Sequence, residues 1–390
     1  MLDWLIIGGG IHGTYLAIYL MGRRGVKRDR IRILDPHEQP LALWQHFTAN
    51  TGMAFLRSSH AHNLHYDPWS LVTFARTRQG EGLARFIEPY GRPALDLFQA
   101  HSQRLIERYR MNELRIVARA EGLRRMADSW CVRTTVGSIA AHNVIIAIGA
   151  TERPFWPDWA NNLRDAGAPI HHIFDADFYR ASLPIGTQAA VVGGGITAAQ
   201  TALTLAATMS VTLLMRHDVR VHDFDSDPRW IDPRQLAPFH REPDYAKRRA
   251  IISAARHRGS LPPDVAHDLQ QAVLEGHLIR RMETVERGVF AGGKIQIDLQ
   301  QTDSISADYI ILATGFDRVR PGGAWIDHAI NDYGLPTAPD GYPIVDSTLC
   351  WSPGLYVTGP LAELEVGPTA RNIIGVRLAA ERIGLSTAFR

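Results

Sequence analysis

The chain has 390 residues, 21% charged and 45% hydrophobic, the balance of a globular protein large enough for two domains. Its 42 basic and 40 acidic residues leave a net charge of +2, too near neutral for the field of a nucleic-acid or membrane binder. No apolar run approaches the ~18 residues of a membrane helix, the first strand starts too close to Met1 to leave room for a signal peptide, and the two cysteines, Cys131 and Cys350, give no disulfide framework and no C-x-x-C pair, as in a reducing cytoplasm.

The opening stretch Asp3 to Gly13, DWLIIGGGIHG, reads as a short buried strand entering a glycine turn, with a helix behind it (Ile11, Tyr15, Ile18, Tyr19). Gly8, Gly10 and Gly13 occupy the places of a G-x-G-x-x-G dinucleotide fingerprint. The first glycine permits the tight turn, the second admits a pyrophosphate to the backbone, and the third lets helix and strand pack closely. A second apolar run, Ile31 to Leu34, ends in Asp35, roughly 20 residues past Gly13, where an acid would bind a ribose. Pro36 to about Ser70 reads as a long irregular connection. Its Trp44, Phe47, Met53 and Phe55 mark it as a site-building loop rather than a disordered one. A helix is expected from about Ala94 to Arg110, then strands between 114 and 149 that end in the buried run VIIAIG. Pro154, Pro157 and Pro169 then punctuate a linker.

The opening pattern returns at 189–198. Ala189 to Val192 is a strand, and Gly193, Gly195 and Ala198 fill the same three places before another helix. The strand after it, Val211 to Met215, is followed by Arg216 instead of an acid, which suits the 2′-phosphate of NADPH. Asp223 to Ala272 is polar and helical and exceeds an ordinary connection, as an insert over a site would. Strands over 278–315 then repeat those of the first half, so a whole dinucleotide-binding unit is duplicated. The fold class is therefore α/β with two Rossmann-like domains. The expected boundaries are 1–160 for the first part of one domain, 161–304 for the second with a helical insert at about 223–275, and 305–390 for the closing part of the first. In the tail, a strand (Leu355 to Val357), Gly359 and a final helix are placed to close onto the first nucleotide, with the free N–H groups of that helix facing it.

This arrangement resembles the two-dinucleotide-binding flavoproteins, in which the first unit holds FAD and the second NAD(P)H. The resemblance implies that Gly8, Gly10, Gly13 and Asp35 bind FAD, and that Gly193, Gly195, Ala198 and Arg216 bind NADPH. Within that superfamily the chain is most similar to the flavin-dependent N-hydroxylating monooxygenases of lysine and ornithine. DYIILATGFDRVRP (Asp308 to Pro321) is similar to that group's D-x3-L-A-T-G-Y-x4-P stretch, which brings Thr314 and Gly315 to the cofactor. MAFLRSS (Met53 to Ser59) stands where the group has a flavin-facing S-F-L-K-D segment, with Met53 toward the flavin and Arg57 in the place of its Lys. His171-His172 stands where related enzymes carry an H-S/T-x-x-Y/W segment. RWIDP (Arg229 to Pro233), HRGSLP (His257 to Pro262) and EVGPTARN (Glu365 to Asn372) replace segments that help bind amino acid and cofactor there. They imply a substrate other than lysine or ornithine.

The chemistry implied is reduction of FAD by NADPH, then transfer of oxygen from a flavin C4a-hydroperoxide, formed with O2, to an amine nitrogen or sulfur of a small molecule. Arg57 is the candidate for stabilising nicotinamide or peroxide, against a structural ion pair. His172 is a candidate lining of the nicotinamide channel, against a helix-start residue. His46, His60, His62 and His65 lack metal-ligand spacing and read as satisfied loop residues, so no metal is expected. Asp225 and Asp227 read as solvated turn acids. No G-x-S-x-G element supports a serine hydrolase. Two other readings stay open: a flavin-dependent NAD(P)H oxidoreductase passing electrons to a quinone or protein, and a non-enzymatic redox sensor. Substrate identity and oligomeric state, a homo-oligomer included, are not legible here.

Overall fold

The computed structural model describes residues 1–386. Leu5, Ile6 and Ile7 are buried on both faces at the centre of an eight-stranded sheet, which is why the opening strand is a continuous apolar run and not an alternating one. From one edge the path runs Cys350–Ser352, Leu355–Val357, Gly137–Ile146, Leu2–Ile7, Ile31–Asp35 and Arg115–Val117. All neighbours are parallel except the first pair. Ala120–Arg125 and Trp130–Thr134 extend Gly137–Ile146 as an antiparallel meander.

The second sheet repeats the parallel part of this order in five strands, without a counterpart to Cys350–Ser352. It runs Ile170–His172, Tyr309–Leu312, Gln188–Val192, Ser210–Met215 and Leu278–Met282, all parallel. Its glycine-bearing strand is again central. Val285–Ala291, Lys294–Leu299 and Ile305–Ala307 supply the matching antiparallel meander. The duplication read from the sequence thus extends to sheet order.

Two expected boundaries move. Tyr309–Leu312 pairs with Gln188–Val192, so the second unit runs through 312 and not 304; the closing part of the first begins past it. The helix Asp158–Asp165 also belongs to the second unit, since Leu163 packs against Gly288 of its meander. The insert is shorter than 223–275. Pro263–Leu274 is the ordinary crossover helix, packed on the glycine-turn helix Ile196–Ala206 and leading into Leu278–Met282. The insert proper lies between the two strands of a short ladder, Arg220–Val221 with Ser260–Leu261. It carries the helices Pro233–Arg241 and Tyr245–Ala255.

The segment 36–70 also departs from expectation, because Ala42–Thr51 is a helix. Its start carries no polar cap. Leu41 enters it with φ of 62°, and the Leu41 N–H donates to Gly9 O at 3.1 Å. That helix ties the units together. Its Asn50 donates to Ile173 O and Phe178 O, and Gly52 at its end packs against Thr204 of the second unit's helix. The final helix Ile373–Gly384 packs on the first helix Ile11–Arg24, with Gly384 against Tyr19. No helix of the described residues is long and apolar enough to cross a membrane.

Candidate functional site

Both glycine turns open into one cleft of about 1630 Å³ between the units. The turns share one geometry. A Cβ on Gly8 would stand 2.4 Å from Ala147 O, and a Cβ on Gly193 would stand 2.4 Å from Ala313 O. In each unit the turn thus presses on the strand that ends beside it, and φ of 110° and 157° adds a backbone demand that glycine meets. Gly13 and Ala198 lie behind the wall. A Cβ on Gly13 would meet Gly8 O at 1.8 Å, and the Ala198 methyl reaches the space beside Gly193. Gly10 and Gly195 face the cleft with open space where a side chain would stand, or only an ordinary van der Waals neighbour. The helix N-terminus behind each leaves N–H groups free for an anion. This is a fit to two dinucleotide pyrophosphates.

The strand ends differ. The Asp35 carboxylate accepts from Gly9 N–H at 2.6 Å, from His37 N–H at 2.9 Å and from Arg115 at 3.1 Å. These bonds fix it on the cleft wall, where it can still accept from ribose hydroxyls. In the second unit Gly193 N–H donates to Leu214 O, as Gly8 N–H does to Leu34 O. Register therefore puts buried Met215 at the place of Asp35, and Arg216 one residue further. Arg216 and Arg220 are exposed on the cleft and have no hydrogen-bond or carboxylate partner among the described residues. The second site thus offers guanidinium groups and no acid.

Thr314, Gly315, Phe316 and Gly359 line the cleft. Phe316 stacks on Phe174, 4.8 Å between centroids, and Phe47 from the unforeseen helix meets Phe174 at the same separation. Met53 and His172 do not reach the wall. Met53 packs on the core of the first unit. His172 is fully buried: its Nδ1 accepts from Phe174 N–H, and its Nε2 stands 3.2 Å from Thr314 Oγ1. Burial lowers its pKa to about 4, so the neutral ring donates to Thr314, which in turn donates to Phe155 O. His172 is a positioning residue behind Thr314. His12, within the first glycine turn, does line the cleft and was not singled out in the sequence. It bridges Thr358 Oγ1 (3.0 Å) and Asn372 O (3.2 Å), and burial holds its pKa down at about 4. It fastens the tail to the first turn.

Arg57 lines the cleft, but its donors are committed. They go to His222 O, Asp223 O, Phe224 O, Ser260 O and Ser260 Oγ, at 2.6 to 3.1 Å. This is neither an ion pair nor a free guanidinium. Arg57 clamps both ends of the insert to the first unit. On its far side the insert rests on the tail: Leu236, Phe239 and Ile252 pack with Tyr342 and Leu364, and Arg248 donates to Leu364 O and Glu365. Asp225 is not a solvated turn acid. It pairs with Arg256 and accepts from Asn372. Among the described residues no three His, Cys, Asp or Glu side chains are placed to hold a metal ion. Both cysteines are free thiols away from the cleft, and burial pushes Cys350 up to about 11.

Two outcomes follow from these contacts. Gly13→Ala forces a Cβ onto Gly8 O and loses about 1–3 kcal/mol, whereas Gly10→Ala folds with an unchanged melting temperature but purifies without bound flavin. Thermal melts and visible spectra read both, and a yellow Gly10→Ala protein would contradict the pyrophosphate approach. Arg57→Lys leaves several carbonyls of the insert unpaired, since one ammonium cannot span the fork, at a cost of about 2 kcal/mol or more. Trypsin cleavage at exposed Arg229, Arg234 and Arg241 should then speed up well before global unfolding; an unchanged rate would mean the insert is held elsewhere.

Comparison with known proteins agrees with this geometry. A curated protein described as an uncharacterized oxidoreductase, CzcO, from Bacillus velezensis is 22% identical over 321 residues, 81% of either chain. Among solved structures, the ornithine N-hydroxylase of Kutzneria sp. 744, seen with reduced FAD, NADP+ and L-ornithine, superposes with a TM-score of 0.75 at 17% identity over 97% of both chains. The L-lysine 6-monooxygenase of Pseudomonas syringae gives 0.71 at 18% identity over 98% of both. At such identities these likenesses show the fold. The family profile described as pyridine nucleotide-disulphide oxidoreductase matches residues 2–381, so the chain belongs to that family of flavin-dependent oxidoreductases.

Proposed function

We propose that this protein is an FAD- and NADPH-dependent monooxygenase that transfers one oxygen atom from O2 to the amine nitrogen or sulfur of a small molecule. The carrying observation is one cleft that joins two glycine turns under an insert clamped by Arg57, with no thiol on its wall. FAD belongs on Gly8, Gly10 and Asp35, with Gly13 behind them. NADPH belongs on Gly193, Gly195 and Arg216. The flavin supplies hydride acceptance and oxygen activation when bound. The chain's own residues orient and enclose: Phe47, Phe174 and Phe316 form an apolar patch, and Thr314 presents a hydroxyl fixed by His172 and Phe155 O. A dry, capped site suits oxygen transfer, because water would discharge the activated oxygen unproductively. The substrate differs from lysine or ornithine, since RWIDP and HRGSLP replace segments whose asparagines help bind the amino acid and the cofactor ribose in the resembling group, and EVGPTARN replaces one close to its flavin. We place the protein in the cytoplasm, on its two unpaired thiols.

A second reading is an NAD(P)H oxidoreductase that passes electrons to a quinone or protein acceptor; the family description names oxidoreduction and no oxygen transfer. One experiment separates the two. The purified holoprotein is reduced anaerobically with NADPH, then mixed with oxygen. A transient absorbance distinct from both reduced and oxidised flavin, and oxygen uptake exceeding peroxide release when amines or thioethers are added, are expected. Direct reoxidation with every substrate, and fast quinone reduction, would establish the second reading instead.

Arg216 provides a further check. Arg216→Ala should lower the NADPH-over-NADH preference in kcat/KM by about tenfold, near 1.4 kcal/mol for one lost charge-assisted contact. An unchanged preference would move the discrimination elsewhere.

A further inference from the structure

On the edge strand of the first sheet, Arg115 turns its side chain inward behind the first glycine turn, where it is only 3% exposed. Its Nη2 donates to Asp35 Oδ1 at 3.1 Å and to the His37 carbonyl. Its Nε and Nη1 are buried with no acceptor among the described residues. Nη1 lies against Gly9 instead, 2.5 Å from where a Cβ of that glycine would stand. Arg115 does not itself reach the cleft, but Gly9, Asp35 and His37 all line it.

Stability does not account for this burial. A buried ion pair returns little, since desolvation consumes most of the attraction, and N–H donors without acceptors cost more still. The second unit supplies the contrast. Arg115 stands opposite Ile33 as Arg280 stands opposite Leu213, and the matching turn bonds to Leu34 O and Leu214 O make these the same place in the two units. Arg280, with Met215 in the place of the acid, turns outward and pairs with exposed Asp218 at 2.7 Å. The arginine is duplicated and its burial is not: burial goes with Asp35. Its consequence is a direction for that carboxylate. Oδ1 accepts from His37 N–H and from Arg115, whereas Oδ2 accepts only from Gly9 N–H at 2.6 Å. A carboxylate oxygen has room for about two donors, so Oδ2 is the oxygen with capacity left for a hydroxyl.

Building on the reading that places FAD on the first unit, we propose that Arg115 is the positioning residue of that site: it fixes Asp35 Oδ1 and the turn 35–37 from behind, so that Oδ2 is presented to a hydroxyl of the adenosine ribose. The test compares FAD with the flavin dinucleotide whose adenosine is 2′,3′-dideoxy. Each is titrated into the full-length protein stripped of flavin, and fluorescence quenching reads the affinity. The native protein should bind the dideoxy compound at least about tenfold more weakly, because a hydroxyl bond to a charged group is lost. In Arg115→Met that ratio should fall to about threefold or less, with the loss falling on FAD and the affinity for the dideoxy compound unchanged. Should Arg115→Met not fold, Arg115→Gln carries the same expectation. Arg115→Lys should keep more of the ratio than either, since it restores the charge but not the planar group against Gly9. A native ratio in the neutral variant would overturn the proposal, because Asp35 would then be positioned without the arginine. Equal weakening of both compounds would overturn it too, because Arg115 would then only support the fold. Native protein that binds both compounds alike would sink the placement of the FAD ribose on Asp35, and this inference with it; a native preference that survives the neutral substitution would sink this inference alone.

Discussion

The width of the cleft depends on arginines that give their donors to backbone carbonyls. Irregular chain at a junction between units leaves carbonyls that neither a strand nor a helix can pair, and buried carbonyls must be satisfied. A guanidinium has five N–H donors in a rigid fork and stays charged, so one side chain can satisfy several. Arg57 serves residues 222, 223, 224 and 260; Arg248 serves His240, Glu242 and Leu364; Arg180 serves Ala49 and Asn50. Arg92 adds a pair of bonds to Asp264 at the start of the crossover helix. Apart from the bonds of Arg248 to His240 and Glu242, these ties join segments far apart in sequence. Without them the insert would be held to the rest of the fold chiefly by its apolar packing on the tail.

The duplicated scaffold was legible because its demands are local. A glycine whose Cβ would stand 2.4 Å from a carbonyl oxygen leaves a mark in the sequence wherever it occurs, and Gly8 and Gly193 leave the same mark. Membership of a sheet is a different matter. Tyr309–Leu312 and Val144 to Ile146 are both short apolar runs that end near a glycine, and only parallel pairing assigns one to each unit. The helix Ala42–Thr51 escaped because it begins on Leu41 in the left-handed region with no capping side chain. Pro263–Leu274 was folded into the insert because an amphipathic helix looks alike in either role, and what makes it a crossover is its packing on Ile196–Ala206.

Side-chain direction explains the corrections at the site. His171 and His172 alternate across a strand, and no pattern in HHIFDADF says which faces the cleft. The structure turns His172 inward beneath Thr314, where burial keeps it neutral, and what reaches the cleft is the hydroxyl it orients. Arg57 reads in the sequence as a candidate for stabilising nicotinamide or peroxide, but the segment that occupies its donors lies more than 160 residues away in the chain. The acid-to-arginine contrast between the units is a matter of register too. Asp35 corresponds to Met215, so the second unit discards the acid for an apolar side chain and places its cations one step further out.

A division of labour follows from what is duplicated and what is not. The two parallel sheets, the glycine turns and the meanders occur twice, and they carry the surfaces that suit two dinucleotides. The insert helices and the segment 359–372 occur once, and they supply Arg248, Arg249, Arg256, Glu363 and Arg371. Their centre is Glu363, whose carboxyl pKa is pushed up by burial and brought below its ordinary value by Arg371 and Arg249. A buried carboxylate between two guanidiniums is a weak source of stability, since desolvation consumes most of the attraction. It is a strong source of shape: each partner is needed by the others, so the corner has one low-energy arrangement. A scaffold shared across a family can thus keep its cofactor surfaces while the unduplicated corner, with its own arginines and acids, is free to be rebuilt for another substrate.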